Sequence, residues 1–464
     1  MKLRTAPLVC LALFLVVFQA FAQVDPGPRG GPPGAGDPLP SVAANNPVTI
    51  LTFFNDGKDR FEEVNSVFGT IPGEPDGGLG PRFNSRSCVA CHSQPATGGT
   101  SPATNPQVAD ATAHGATNTV PPFITINGPV REARFKFLTN SSGVPIPSQP
   151  DGGVHALYTI AGRSDASTCT PSVIQQPNFA AAIANNNIIF RIPTPVFGSG
   201  LIENIDDSTL LAYQAAIKVK AAGLGIAGTF NRAGDGTISR FGWKASVKSL
   251  DTFSGNAYNI EMGVSNETAP QERPSPNEDR AAGLPAPCRL NPTPEDHTNF
   301  NTTAVGTPSD AVMFAMFMRL LKPPEPHPTM PGGSASIGMG AQLFVEIGCE
   351  VCHKATFKTA PSSLTPDLGN KTITLWSDLQ IHRMGTGLAD DIQEGAAGGD
   401  QFRTAPLWGL GQRLFFLHDG RRTDLQSAIL DHSSSGSEAN LVIQNYLSLS
   451  AAHQQHILNF LRSL

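Results

Sequence analysis

Apolar side chains recur every three to four residues in several stretches of this chain, which is the spacing of one helix face. The clearest stretch, residues 207–222, begins at an acidic residue and ends just before Gly223. The same spacing predicts helices over residues 60–68, 241–262, 310–321, 340–347, 425–431, 439–447 and 450–464. Short apolar runs at 124–126 and 188–192 predict strands. The pattern therefore predicts a mainly α-helical chain with a few short strands.

Proline and glycine interrupt this pattern in two places. Residues 23–47 contain seven Pro and five Gly with almost no apolar pattern, which predicts a flexible leader. Residues 323–333 contain five Pro and two Gly and end the helix predicted over 310–321. We therefore predict two domains, the first over residues 48–330 and the second over residues 331–464.

The N-terminus has the pattern of a signal peptide. Lys2 and Arg4 precede an apolar run over residues 6–18, and an Ala-Phe-Ala sequence follows that suits cleavage, so residues 1–22 are expected to be removed. The apolar run is too short for a comfortable membrane span. We therefore expect an exported protein without a stable membrane anchor.

The pentapeptide Cys-x-x-Cys-His occurs twice, at residues 88–92 and 349–353. It is typical of c-type haem attachment, in which two thiols bind the vinyl groups of one haem and the histidine binds its iron. Zinc or structural cysteines are the alternative, but zinc ligand pairs usually lie close together in sequence, whereas most of the chain separates these two pairs. The predicted haem anchors are Cys88, Cys91, Cys349 and Cys352, and the predicted proximal iron ligands are His92 and His353. Two haem c groups imply a bacterial protein that is periplasmic or secreted.

Two cysteines of the mature chain, Cys169 and Cys288, lie outside these motifs. In an oxidising compartment, such a remaining even pair predicts a disulfide. It would close a long loop, which the chain-entropy model values at about 4 kcal/mol. Two buried, unpaired thiols are the alternative.

Composition narrows the possible partners. The formal net charge of −6 argues against nucleic acid and permits docking to basic proteins. The 46 Gly and 40 Pro favour a compact, loop-rich structure around a cofactor. Residues 55–59, Asn-Asp-Gly-Lys-Asp, are acidic enough to suggest calcium, although Asp and Gly clusters usually form turns.

The second ligand of each iron decides what the haem can do. A bound Met or His gives an electron-transfer haem, whereas an open position allows chemistry with peroxide or oxygen. In the second domain, Met384 follows His353 by 31 residues and is the expected ligand, with His382 as its competitor and a core methionine as the alternative. A helix before the haem motif, a methionine in the loop after it and a terminal helix follow the plan of a cytochrome c.

For the first haem, Met262 is the candidate ligand, because Glu261-Met262-Gly263 repeats the Met-Gly pattern found at the second site. A methionine in a packed helix is more often a core residue than a ligand. If Met262 does not bind the iron, this haem is the reactive one, with Glu261 or His114 as a polar group above it and as the candidate catalytic residue.

Two runs in the second domain, Phe-Arg-Thr-Ala-Pro-Leu-Trp-Gly-Leu at 402–410 and Phe-Leu-His-Asp-Gly-Arg at 416–421, resemble the C-terminal haem domain of bacterial di-haem cytochrome c peroxidases. The closer resemblance is to the di-haem oxidoreductase family, also called thiol oxidoreductase-like, and it covers most of the mature chain. The further motifs that carry it lie at residues 83–84, 193–198, 200–203, 240–245, 261–263 and 377–379.

The resemblance implies two cytochrome c-like haem domains, the first enlarged by loop-rich and short-strand insertions. It implies a redox enzyme similar to cytochrome c peroxidase, in which electrons enter at the His353 haem and peroxide reacts at the His92 haem. Its partner would be a small redox protein or a membrane electron-transfer chain. Two alternatives are an electron-transfer cytochrome in which both irons have six ligands, and a haem-dependent oxygenase.

The resemblance also implies roles for other side chains. His418 and Arg421 are expected to line or brace the second haem, and Arg403 to pair with a propionate, with a capped surface turn as the alternative. Trp243 and Trp408 are expected between the haems as electron relays, with a place in the core as the alternative.

Overall fold

The computed structural model describes residues 23–31, 34–44, 48–140, 143–272, 285–296 and 308–464. The predicted signal peptide lies outside these residues. Within them the chain forms fourteen α-helices and five small antiparallel sheets of two strands each, which confirms the prediction of a mainly α-helical fold. No described helix has both the length and the apolar character needed to cross a bilayer.

The helices are numbered in chain order. They are α1 (Pro40–Ala43), α2 (Val48–Glu62), α3 (Cys88–Cys91), α4 (Gln107–Asp110), α5 (Phe179–Ala184), α6 (Ser199–Glu203), α7 (Asp207–Gly223), α8 (Leu250–Met262), α9 (Asp310–Leu320), α10 (Gly333–Glu346), α11 (Gly385–Leu388), α12 (Leu425–Leu430), α13 (Asn440–Ser448) and α14 (Ala451–Ser463). The strands pair as β1 (Arg82–Phe83) with β5 (Tyr158–Thr159), β2 (Glu132–Phe135) with β6 (Ile188–Arg191), β3 (Phe137–Thr139) with β4 (Pro145–Pro150), β7 (Thr356–Lys358) with β8 (Thr372–Thr374), and β9 (Ile381–Arg383) with β10 (Gln401–Arg403).

The first haem motif rests on a core formed by α2, α8 and α9. Phe61 of α2 packs against Phe314 and Phe317 of α9, with ring centroids 6.3 and 5.0 Å apart. Phe61 also lies edge-on to His92 at 5.9 Å. Burial of each aromatic ring stabilises the fold by roughly 1.5–3 kcal/mol, so this core also fixes the position of the motif.

The second haem motif rests on α10 and α14, which cross at close range. Phe344 of α10 packs against Phe460 of α14 with ring centroids 5.5 Å apart, and Trp376 contacts both rings. Phe344 also lies 5.9 Å from the His353 ring. In each half of the chain, an aromatic side chain from the helix that precedes the motif therefore supports its histidine.

The two halves share a core. The predicted border at residue 331 falls between α9 and α10, yet Phe357, Leu375, Leu379 and Trp408 from beyond it belong to the same apolar cluster as α2, α8 and α9. The chain that follows the second haem motif therefore packs into the first half of the molecule.

The expected flexible leader instead packs on the body of the protein over its described residues 23–31 and 34–44. Asp25 accepts two hydrogen bonds from Arg462 of α14, at 2.7 and 2.6 Å. The Arg29 amide donates to the Gly411 carbonyl at 2.8 Å. Val42 is fully buried in the shared core. The described part of this proline-rich segment therefore makes specific contacts with the body of the protein, where the composition predicted a flexible leader.

Several predicted helices are confirmed near their expected bounds, namely α7, α9, α12, α13 and α14. The helix predicted over residues 60–68 is wrong: α2 ends at Glu62, and Phe68 is 51% exposed. The chain leaves the helix there because the Asn65 side chain bonds to Asp76 and the Gly77 carbonyl. These partners are 11 and 12 residues away, so a helical pattern read over a few neighbouring residues does not include them.

Other boundaries also shift. The segment from residue 241 enters a helix only at Leu250, where the Ser249 hydroxyl accepts a bond from the Thr252 amide as an N-cap. The strand predicted at 124–126 does not form, whereas the one predicted at 188–192 is β6. Residues 55–59, for which calcium binding and an ordinary turn were the two alternatives, lie inside α2 and are helical, and calcium binding by them stays a prediction. A disulfide joins Cys169 and Cys288.

Gly340→Ala is expected to destabilise the protein. A Cβ at residue 340 would overlap the His456 carbonyl oxygen and crowd Phe460 where α10 crosses α14. Overpacking of this kind costs about 1–3 kcal/mol. The matched control is Gly338→Ala in the same helix, where a Cβ meets open space and alanine gains up to about 1 kcal/mol of helix propensity. Denaturant unfolding checks both, and equal midpoints for the two variants would contradict the close crossing.

Candidate functional site

The first haem motif forms α3, at the wall of a cavity of 530 Å³. One helical turn places Cys88 and Cys91 on the same side, because residues three apart are neighbours on a helix surface. Both thiols and His92 line this cavity. The pentapeptide therefore presents its three reactive groups to one space.

His92 is oriented by the loop that follows the motif. Its Nδ1 donates to the Gly99 carbonyl at 2.9 Å, which leaves Nε2 with the lone pair that a metal ion needs. Gly99 is required for this return of the chain, because a Cβ there would overlap the Gln94 carbonyl oxygen. Burial lowers the pKa of His92 to about 4, so the ring is neutral at neutral pH.

The second motif repeats this arrangement at a cavity of 220 Å³, lined by Cys349, Cys352 and His353. His353 Nδ1 donates to the Trp376 carbonyl at 3.0 Å. Trp376 adopts a left-handed backbone conformation with φ 54°, which costs a non-glycine residue about 1–3 kcal/mol. Burial lowers the pKa of His353 to about 4, so it too is neutral and free to bind iron through Nε2.

Both cavities suit a covalently bound haem. The four motif cysteines are free thiols, two at each cavity. Arg403 and Arg413 also line the second cavity, and burial lowers the pKa of each to about 10. Neither guanidinium has a carboxylate partner within the described ranges. A buried cation without an anion is costly, and the propionate groups of a haem would supply that anion.

Met262, the expected second ligand of the first iron, is buried at the end of α8 and lines the first cavity. Its Sδ lies 3.8 Å from the Sγ of Cys88. A thiol anchor binds the edge of a haem, whereas an axial ligand lies over its centre. The Met262 sulfur therefore lies next to one of the two predicted haem anchors, and iron ligation by it stays a prediction.

Two carboxyl groups, Glu261 and Glu132, line the same cavity. Asn84 donates to Glu261 Oε2 at 2.8 Å. Burial alone would raise the pKa of Glu132, but Arg134 and Arg191 lower it below its ordinary value, and a hydrogen bond with Glu261 adds to this. Glu132 is therefore held in its charged form, with the Glu261 carboxyl group within hydrogen-bond reach of it.

From Glu132 a line of buried and half-buried ion pairs leads toward the second cavity. Its members, in order, are Glu132, Arg134, Glu394, Arg191, Asp390 and Lys244. The Lys244 ammonium lies 4.2 Å from the centroid of the Phe402 ring, and Phe402 stacks on His418 of the second cavity at 4.3 Å. None of the six was predicted from the sequence as a site residue, because they are scattered over more than 250 positions.

His114, the other candidate catalytic residue, lies outside both cavities. Its Nε2 is 2.6 Å from Glu74 Oε1, and Arg86 contacts both side chains. It is therefore part of a separate ion-pair cluster behind the first motif.

Met384 and His382 both line the second cavity, as the spacing predicted. His382 is held between two carboxylates: its Nε2 lies 3.0 Å from Asp378 Oδ2, and its Nδ1 lies 2.8 Å from Glu438 Oε2. Because both ring nitrogens are engaged, His382 has no lone pair to offer an iron. Met384 is partly exposed, and its ligation stays a prediction.

Two more histidines line this cavity. His418, expected there, stacks on Phe402, and burial lowers its pKa to about 4. His432 was missed by the sequence analysis; its Nδ1 donates to the Ala428 carbonyl at 2.8 Å, and burial lowers its pKa. The available signal was a histidine at the end of the predicted helix 425–431.

Trp243 lines both cavities and donates from Nε1 to the Ile192 carbonyl at 2.9 Å. Trp408 instead lines a small space of 40 Å³ that Trp243 shares. Arg421, expected near the second haem, is partly exposed and pairs with Asp419 at 2.6 Å. Trp243 is therefore the aromatic side chain that contacts both candidate haem sites.

His382→Ala is expected to lower the free energy of unfolding by about 3–5 kcal/mol, because the buried carboxylates of Asp378 and Glu438 lose their shared cation. The control Lys248→Ala breaks an exposed pair with Asp235 and should cost less than about 1 kcal/mol. Denaturant unfolding measures both. The visible spectrum of folded His382→Ala should match the parent; a changed spectrum would mean that His382 binds the iron.

A family model described as "Di-haem oxidoreductase, putative peroxidase" matches residues 150–464. The match includes the second haem motif and begins after the first. No curated protein matches the chain. One similar solved structure is hydrazine synthase from Kuenenia stuttgartiensis, pressurized with 20 bar xenon, with 11% identity and a TM-score of 0.34 over 99% of this chain and 100% of that chain. A likeness at that score does not define a shared fold.

Proposed function

Because the chain belongs to the di-haem oxidoreductase family, we propose that it is an exported di-haem c-type enzyme that reduces peroxide as cytochrome c peroxidases do. The reaction takes place at the His92 haem, and electrons enter at the His353 haem from a small redox protein or a membrane electron-transfer chain. The observation that carries this assignment is the Glu261–Glu132 pair on the wall of the first cavity.

The first cavity has the room and the polar groups that peroxide chemistry needs. Its volume is 530 Å³, against 220 Å³ for the second. When bound there, haem supplies an iron that binds the peroxide oxygen and accepts electrons. Reduction of hydrogen peroxide to two waters consumes two protons and two electrons. Glu261 shares a hydrogen bond with Glu132, and a carboxyl pair of this kind can hold a proton and deliver it to the peroxide oxygen.

The second cavity is better suited to electron transfer. Met384, His418 and His432 all line it, so a side-chain ligand is available to close the iron to peroxide. Trp243 lies at the walls of both cavities and gives electrons a short aromatic path between the two haems.

A pure electron carrier is the second candidate function. Met262 favours it, because a thioether already lines the first cavity, and ligation of the first iron would close both haems. The two functions differ in whether any iron of the protein has an open position.

Electron paramagnetic resonance of the purified holoprotein separates them. Spectra are recorded for the oxidised and the half-reduced protein, before and after hydrogen peroxide. We expect a high-spin iron, present at rest or formed on half-reduction, that reacts with peroxide. Two low-spin irons that ignore peroxide would contradict the peroxidase and support the electron carrier.

Glu261→Gln is expected to slow peroxide reduction by about 10²–10⁴-fold, the usual contribution of one acid–base group, because the amide keeps the shape but cannot deliver the proton. The control His114→Gln changes the other candidate, which lies outside the cavity, and should leave the rate near that of the parent. Single-turnover decay of peroxide with the reduced protein measures both. Equal rates for Glu261→Gln and the parent would remove Glu261 from the reaction.

A further inference from the structure

His432 lies on the wall of the second cavity with one of its two ring nitrogens already engaged. It follows α12 directly and lines the cavity together with His353 and its two anchoring cysteines. Its Nδ1 donates to the Ala428 carbonyl at 2.8 Å. That carbonyl is one of the last four of α12, which have no partner inside a helix, so the local bond is strongly favoured.

This bond gives His432 the same orientation as the two proximal histidines. In each case, Nδ1 donates to a backbone carbonyl, of Gly99 for His92, of Trp376 for His353 and of Ala428 for His432. A carbonyl can only accept, so in all three rings Nε2 keeps its lone pair. A fixed tautomer with a free Nε2 is the usual preparation of a histidine that binds a metal.

The other side chains at this cavity are less well prepared. Both nitrogens of His382 lie against carboxylates. His418 is stacked on Phe402 and lies edge-on to Trp243, and no bond to its ring nitrogens fixes a tautomer among the described residues. Met384 lies at the start of α11 and is half-buried like His432, but no contact among the described residues fixes the position of its sulfur.

We propose that His432 is the second axial ligand of the haem held by Cys349 and Cys352, so that this iron is bound by two imidazoles, from His353 and His432. The inference rests on haem attachment at this motif, as in the proposed function, and is independent of any reaction with peroxide. Methionine raises the potential of a c-type haem, so a bis-histidine iron has a lower potential than the His/Met pair predicted from spacing.

A bis-imidazole signal can be assigned to one haem. Among the described residues that line the first cavity, His92 is the single histidine, whereas four line the second. Near-infrared magnetic circular dichroism of the oxidised, unreacted holoprotein separates His/His from His/Met ligation by the energy of the charge-transfer band. We expect one bis-imidazole iron in the parent. The absence of a bis-imidazole signal, with or without a methionine-bound iron, would overturn the proposal.

Variants test the residue itself. His432→Ala should convert one haem to high spin without changing the other, and added imidazole should restore the low-spin signal. His432→Met should replace the bis-imidazole band with a His/Met band and raise the potential of that haem. The control Met384→Ala should leave both haem signals as in the parent. An unchanged bis-imidazole signal in His432→Ala, or its loss in Met384→Ala, would overturn the assignment.

His432→Ala also removes the contact at the end of α12, so haem content and far-ultraviolet circular dichroism accompany each spectrum. If that variant does not fold, the spectrum of the parent and of Met384→Ala still decides the question. Failure of the peroxidase proposal would appear only after peroxide is added, whereas failure of this one appears in the resting protein. The two outcomes are therefore distinguishable.

Discussion

Both predicted haem sites depend on the same kind of hydrogen bond, from the Nδ1 of the motif histidine to a backbone carbonyl. His92 binds Gly99 and His353 binds Trp376 in this way. Each bond sets the tautomer of the ring and directs its other nitrogen to the metal. To supply the carbonyl, the chain must return sharply toward the motif, through a glycine in one case and a left-handed tryptophan in the other. Both aromatic cores then pack behind the histidines.

The charged side chains between the two cavities are better explained by a role in the proposed reaction than by a contribution to the stability of the fold. A buried ion pair usually contributes little or is unfavourable, because both charges lose their hydration. The line from Glu132 to Lys244 contains six charged groups, of which Arg191, Asp390 and Lys244 are buried and the other three are half-buried. At one end it sets the charge of Glu132 beside Glu261. At the other it reaches Phe402, which stacks on His418. Such a line couples the electrostatics of the two proposed haem sites.

Short-range sequence patterns predicted a helix well where a capping residue marks its start or a proline follows its end. The helix over residues 310–321 is α9, since Ser309 caps its start and two prolines follow its end. The helix predicted to reach Phe68 ends earlier. Asn65 bonds to Asp76, which is 11 residues away and outside the predicted helix. The composition of the proline-rich leader likewise predicts flexibility, whereas in the structure Asp25 accepts a hydrogen bond from the distant Arg462. Contacts between distant residues decide these cases.

The sequence alone predicted the chemistry of attachment, because two cysteines and a histidine in one pentapeptide need only one turn of chain to meet one cofactor. The groups around each iron could not be determined this way. Glu132 and Glu261 are 129 positions apart, and His432 follows His353 by 79, so only the packing of helices and loops brings them to a common wall. Spacing can identify a ligand within one turn or loop; across a whole domain, the tertiary fold decides which side chains share a cavity.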